Sequence, residues 1–237
     1  MPRGVRAASV PSKRLGATSF SESQAARAGT LLPATPTAPS RLPITADMPR
    51  LEQIRRVGCR LFYQYGYSGM TMRQLAARLD IKAASLYYHF PSKQDILFDL
   101  MSHTAHALME GLLRIVSPER DPRAQLDAAI RWHVLFHTQK REEAFISHSE
   151  MRSLTSANLH RILNVREHYE LVFSDILNRC QKEGVFPKRD TSVLRNAILT
   201  MCTATAGWFN PEGKLTADEV ADQIVEFTWH GLLSEPR

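Results

Sequence analysis

Between Thr71 and Lys93 the chain gathers residue types that suit contact with a nucleic acid. Lys82, Ala83, Ala84 and Ser85 lead into Leu86, Tyr87, Tyr88, His89 and Phe90. If this stretch is a helix, Leu86 faces inward and Phe90 extends the apolar plug, which leaves the others outward. Small residues at 83–85 let a backbone lie close to base edges, the Ser85 hydroxyl can donate or accept, and alanine methyls can meet thymine methyls. Tyr87 and Tyr88 offer hydroxyls to phosphates and ring faces to sugars. Thr71 and Lys93 stand where helices begin, so free amides and the helix dipole reinforce their side chains at a phosphate. Arg73, just inside the helix that Thr71 opens, joins the same candidate set. Plain packing of two short helices with incidental tyrosines is the competing reading, and charge weighs against it. Residues 48–93 hold eight Lys and Arg against only Glu52 and Asp80, whereas the remainder beyond them is mildly acidic although the whole chain is +6. A basic head on an acidic body is the footprint of a nucleic-acid-binding segment.

A second group of residues lies in the middle of the chain. Trp132, Phe136, Phe145 and Tyr169 can supply the wall of a small-molecule pocket, with Glu150, Arg152 and Arg166 as polar groups nearby. The same aromatics also suit ordinary core, and the Glu and Arg residues an internal network that fixes helix packing. His133 and His137 are four residues apart on one helix face, a spacing able to chelate a metal, with His148, Glu150 or His168 to complete the site. Solvated or hydrogen-bonded histidines explain that spacing equally. Enzymatic chemistry finds no support: there is no glycine-rich phosphate loop, no HExxH and no nucleophile elbow. No cofactor is expected. Cys59, Cys180 and Cys202 are isolated, without CxxC spacing, and read as small buried hydrophobes in a reducing cytoplasm.

The elements that must position these residues are helical throughout. Leu51, Ile54, Leu61 and Phe62 recur at helix spacing until Gly66. Thr71-Met-Arg-Gln74 is a capping box for a second helix, Asp80-Ile81 a short turn, and residues 82–88 a third helix. Ser92 opens a long helix to about 116, Asp121-Pro122 another to about 138, and shorter and longer helices cover about 142–153 and 158–183. Asp190 and Thr216 begin the last two, near 190–207 and 216–233. No strand alternation competes, and no apolar run approaches the ~20 residues of a membrane span. Residues 1–47 are rich in Ala, Pro, Ser, Thr and Arg and read as a disordered basic extension, either an arm that adds nonspecific DNA affinity or sequence upstream of a true start at Met48.

The stretch from Thr71 to Leu97, TMRQLAARLDIKAASLYYHFPSKQDIL, closely resembles the DNA-binding domain of the TetR/AcrR family. Leu86, Tyr87, His89, Phe90, Ser92 and Lys93 match the family's Leu-Tyr-x-His-Phe-x-Ser-Lys pattern. The resemblance implies phosphate contacts from Tyr87, His89 and Lys93 and base reading by residues 82–85. Two positions depart from the pattern. Asp80 replaces the usual turn glycine, so Asp must bear any left-handed backbone there, and Lys82 replaces the usual capping serine. Residues 120–233 resemble, more weakly, the branch with many regulators of acyl-CoA and lipid catabolism, through Trp208-Phe-Asn-Pro211-Glu-Gly213, Glu150-Met-Arg152 and Arg166-Glu-His-Tyr169.

The resemblance therefore implies an all-α protein of about nine helices: a helix-turn-helix head at 48–93, and an effector-binding and dimerisation domain at 94–237. It implies a cytoplasmic bacterial repressor that grips a palindromic operator on double-stranded DNA as a homodimer. Dimerisation would use helices 190–207 and 216–233, through Val193, Leu194, Ala197, Ile198, Met201 and Ala204 on the first and Val220, Ile224, Phe227 and Leu232 on the second. Release would follow binding of a small-molecule effector, with acyl-CoA the favoured class. A metal-responsive repressor using His133 and His137, a helical enzyme, and a DNA-coating protein without an effector are the other readings.

Overall fold

The computed structural model describes residues 48–116 and 121–234. The expected extension at 1–47 lies outside these residues. Among the described residues there are nine α-helices and no strand: α1 (Arg50–Gly69), α2 (Met72–Arg78), α3 (Ala83–His89), α4 (Lys93–Ile115), α5 (Pro122–Gln139), α6 (Arg141–Ser149), α7 (Ser156–Lys182), α8 (Thr191–Trp208) and α9 (Ala217–Leu233). A single 3-10 turn, Met151–Ser153, separates α6 from α7. Among the described residues no helix is long and apolar enough to cross a membrane.

Local sequence explains the boundaries. Gly66 adopts φ +65° and kinks α1, which runs one more turn to Gly69 instead of ending there. Thr71 and Gln74 form a reciprocal capping box, with Thr71 Oγ1 accepting from the Gln74 amide and Gln74 Oε1 accepting from the Thr71 amide. Asp80 does take up the left-handed backbone that its position demands, at φ +51°. Lys82 occupies the N-cap of α3 without a side-chain cap, as expected from the missing serine. Ser92, Asp121, Thr155, Asp190 and Thr216 cap α4, α5, α7, α8 and α9 through their side-chain oxygens.

Two apolar clusters hold the fold together. The first joins α1 to α4 around Phe62, Leu75, Leu86 and Leu97, each at most 1% exposed, and Ile146, Met151, Leu154 and Ile162 reach into it from α6, the 3-10 turn and α7. The head thus shares its core with the body. The second cluster fills the body around Ile130, Val134, Phe173 and Leu177. There α4 and α5 approach so closely that a Cβ on Gly111 would fall 1.8 Å from the Trp132 ring, which leaves room for no side chain at 111.

The last two helices correct one expectation. Ile198, Val220, Ile224 and Leu232 are buried within the protomer, because α8 and α9 pack on α5 through them. Of the expected set, Val193 and Ala197 on α8 and Phe227 on α9 do face outward, and Trp208 joins them. Val193 is 64% exposed, Trp208 57% and Phe227 68%.

Candidate functional site

The first site is the face of α2 and α3. Leu75, Ala76 and Leu86 point into the head core, which orients α3 rigidly. With those positions fixed, Thr71, Arg73, Lys82, Ala84, Ser85, Tyr87, Tyr88 and His89 are all exposed, and Tyr88 is 87% so. Ala83 is half-buried against the head core. The Tyr88 and His89 rings meet edge to face, 5.4 Å apart. The result is one surface with small residues at the start of α3, aromatic hydroxyls along it, and cations at its edges.

Lys93 departs from this pattern. Its ammonium donates to the carbonyls of Tyr67 at 2.6 Å and Met70 at 3.0 Å, and lies 4.2 Å from the Tyr67 ring centroid. A cation at the C-terminal end of α1 satisfies orphan carbonyls and complements the helix dipole. The side chain expected at a phosphate therefore ties α4 to α1.

The second site is a cavity of about 150 Å³ in the body, lined from α4, α5, α6, α7 and α8. Met101, Leu108, Phe136, Ile162 and Leu199 give it apolar wall, and Arg166, Glu170, Tyr169, Thr203 and three histidines give it polar character. His133 Nδ1 lies 2.9 Å from the Tyr169 hydroxyl, and its Nε2 lies 2.9 Å from Thr203 Oγ1. His137 Nδ1 donates to the His133 carbonyl, and His148 Nδ1 to that of Ala144. Burial lowers all three imidazoles, His137 to about 4 and His148 to about 3, with Arg166 adding to the effect at both. They are neutral near pH 7.

Of the pocket residues expected from sequence, Phe136, Arg166 and Tyr169 line the cavity. Trp132, Phe145, Glu150 and Arg152 do not. Trp132 lies over Gly111 and donates to the Leu108 carbonyl; Phe145 packs edge to face on Tyr63 against the head. Glu150 accepts from the Ser153 hydroxyl beside the Gly66 kink, and Arg152 is exposed on the 3-10 turn. The pair His133 and His137 is a parallel stack, with centroids 4.2 Å apart, and both nitrogens of His133 have protein partners. Among the described residues no cluster of His, Cys, Asp and Glu has the geometry of a metal site. Spacing showed two histidines on one face, but not that Tyr169 and Thr203 would occupy the first of them. Cavity residues Met101, Leu199 and Thr203 carry no local signal, since they converge from separate helices, and His148, weighed from sequence as a third metal ligand, lines the cavity with them.

Two family profiles match this sequence. The first, bacterial regulatory proteins of the tetR family, covers residues 54–100, and the second, the tetracyclin repressor-like C-terminal domain, covers residues 119–232. The chain belongs to the TetR family. This TetR-family protein is 26% identical over 194 residues to the HTH-type transcriptional repressor KstR2 of Rhodococcus jostii (strain RHA1), an alignment covering 78% of this chain and 92% of that one. Among solved structures it is similar to AibR in complex with isovaleryl coenzyme A and operator DNA, at 27% identity and a TM-score of 0.70, covering 76% of this chain and 97% of that one. It is also similar to PfmR from Thermus thermophilus, at 26% identity and a TM-score of 0.71, covering 76% and 98%. Membership makes it a helix-turn-helix DNA-binding transcriptional regulator and not an enzyme.

Proposed function

We propose that this protein is a cytoplasmic repressor that grips a palindromic operator as a homodimer and lets go when an acyl-bearing small molecule, of the acyl-CoA class, enters the body cavity. The carrying observation is helix α4. It begins at Lys93, capped by Ser92 just after Phe90 closes the recognition helix, and its own Met101, Thr104, Ala105 and Leu108 line the cavity. A molecule seated there touches the same rigid rod that positions α3. The AibR complex with isovaleryl coenzyme A and operator DNA supports the class of effector. About 150 Å³ accommodates a short acyl group, so the nucleotide portion lies outside the cavity.

The ligand must favour a dimer whose two heads no longer match successive major grooves, ~34–36 Å apart, since equal affinity for both shapes shifts nothing. A coupling of about 1–3 kcal/mol weakens operator binding roughly 5–150-fold. The test selects an operator from random-sequence DNA and follows the complex by fluorescence anisotropy while short-, medium- and long-chain acyl-CoAs are added. A selected palindrome and its release by a short-chain member are expected. Binding without sequence preference would indicate a DNA-coating protein, and a complex indifferent to every acyl-CoA would remove this class of effector.

A further inference from the structure

We infer that the cavity recognises the carboxylate of a compact organic acid, with Arg166 as its ion partner. The inference rests on the cavity being the effector site and narrows what it takes.

The two charges that face the cavity are not paired with each other. Its two charged lining residues are Arg166 and Glu170. Glu170 is 3.4 Å from the guanidinium of Arg195 and is paired there. Arg166 donates through Nη2 to the Ser147 carbonyl at 2.6 Å and through Nη1 to the Met151 thioether at 3.1 Å, and among the described residues no carboxylate lies within ion-pair distance of it. A guanidinium stays charged at neutral pH and has five donors in a planar fork. The three imidazoles add no compensating charge. A buried cation whose hydrogen-bond acceptors are neutral, with only the field of Glu170 one turn along α7 to favour its charge, is costly, and an entering carboxylate relieves that cost with bidentate geometry.

The histidines narrow the ligand further. A carbonyl can only accept, so His137 and His148 carry their protons on Nδ1. Each neutral ring then presents an Nε2 lone pair, and neither has a protein donor among the described residues. Both residues line the cavity, so a ligand hydroxyl suits them. Volume sets the size. An engineered cavity of about 150 Å³ in another protein holds one benzene ring, so the body of this ligand has about four to six carbons. A carboxylate and a hydroxyl on a short carbon skeleton describe a hydroxy acid. The carboxylate has two sources: a free acid, or the distal acid of a dicarboxylic mono-CoA thioester whose nucleotide remains outside.

The test uses the full chain, thermal shift and titration calorimetry. The probes are four- to six-carbon acids and hydroxy acids, their primary amides, mono-CoA thioesters of dicarboxylic acids, and saturated acyl-CoAs without a second carboxylate. An acid or hydroxy acid, free or as the distal group of a thioester, is expected to bind, and which of the two binds identifies the source. The matching amide is expected to bind at least roughly 30-fold more weakly, as when one member of a buried ion pair is left alone. Arg166→Met is expected to lose the acid to the same extent with an unchanged oligomeric state. Should that variant fail to fold, the acid–amide comparison on the native chain decides alone. Amide binding equal to acid binding, or full acid binding by Arg166→Met, overturns the inference. Operator release by saturated acyl-CoAs with no binding of any carboxylate probe overturns it while the effector reading stands. A panel that neither binds nor releases operator overturns both.

Discussion

Arg73 and Lys82 are exposed cations on the α2–α3 face proposed to meet DNA, whereas Lys93 is engaged with the carbonyls of Tyr67 and Met70, and salt separates these roles. Removing one phosphate contact flattens the slope of log affinity against log salt by about 0.9. Arg73→Ala or Lys82→Ala should show that flattening. Lys93→Met should instead lower the melting temperature and weaken the operator complex at every salt concentration with the slope unchanged; a flattened slope would return its ammonium to a phosphate. Ala84→Glu, which sets a carboxylate against the groove, should abolish operator binding with the fold intact, as checked by anisotropy and circular dichroism. The cavity histidines give a pH signature. Burial holds His137 near 4 and His148 near 3, below the 6.5 of an unfolded imidazole, so between those limits the unfolded chain binds more protons than the native one. Stability is therefore complete above about pH 6.5 and is lost as pH falls toward 4. Each kcal/mol of destabilisation lowers the melting temperature by roughly 2–4 °C. His148→Phe should flatten that fall in a pH series of thermal melts, and an unaltered profile would contradict a buried neutral His148.

The elements differ in how far the sequence reveals them. Recognition helix α3 is legible because one short segment carries everything it needs: the capping box at Thr71, the left-handed Asp80, the inward Leu86 and the outward tyrosines. The cavity is not, because five helices each give it a few residues at spacings that ordinary core also has. Trp132 and Phe145 look like pocket aromatics and prove to be packing, against Gly111 and Tyr63. Nothing in the sequence marks Gln94, yet it joins the head to the body. Its Nε2 donates to the Ser153 carbonyl at 2.6 Å and to the Tyr67 hydroxyl at 3.2 Å, and its Oε1 accepts from the Thr155 amide. The 3-10 turn it holds is the same one whose Met151 sulfur meets Arg166 from the cavity. On the proposed role of Arg166, a ligand that draws it away from Met151 and Ser147 would loosen the turn that Gln94 fastens to α1. Gln94→Ala should therefore weaken ligand-free operator binding several-fold, the span of a 0.5–2 kcal/mol coupling, and raise hydrogen exchange at residues 67–70. A lower melting temperature with operator affinity unchanged would reduce Gln94 to a structural tie.

At the scale of the whole molecule, one protomer leaves an apolar stripe uncovered among the described residues. Val193, Ala197 and Trp208 recur on one face of α8 at helical spacing, and Phe227 lies exposed on α9. Large aromatics exposed by half or more, on the two helices that close the body, suit a self-complementary two-fold interface of four helices. The second copy matters for DNA as well as for solubility. Each head presents a short recognition helix, and linking two heads turns the second half-site contact into an intramolecular one, with an affinity gain of roughly 10²–10⁴. Substitutions distinguish interface from core, because the two sets alternate along the same helices. Phe227→Glu and Trp208→Glu charge the outward stripe and should give a folded, helical monomer by sedimentation, with operator affinity reduced by that factor. Ile224→Arg and Ile198→Glu place a charge among residues at most 8% exposed within the protomer, and should give insoluble or unfolded protein instead. A Phe227→Glu chain that stays dimeric at micromolar concentration would move the interface off α8 and α9. A folded Ile224→Arg monomer would mean that this residue faces the partner, as its place in the sequence pattern first suggests.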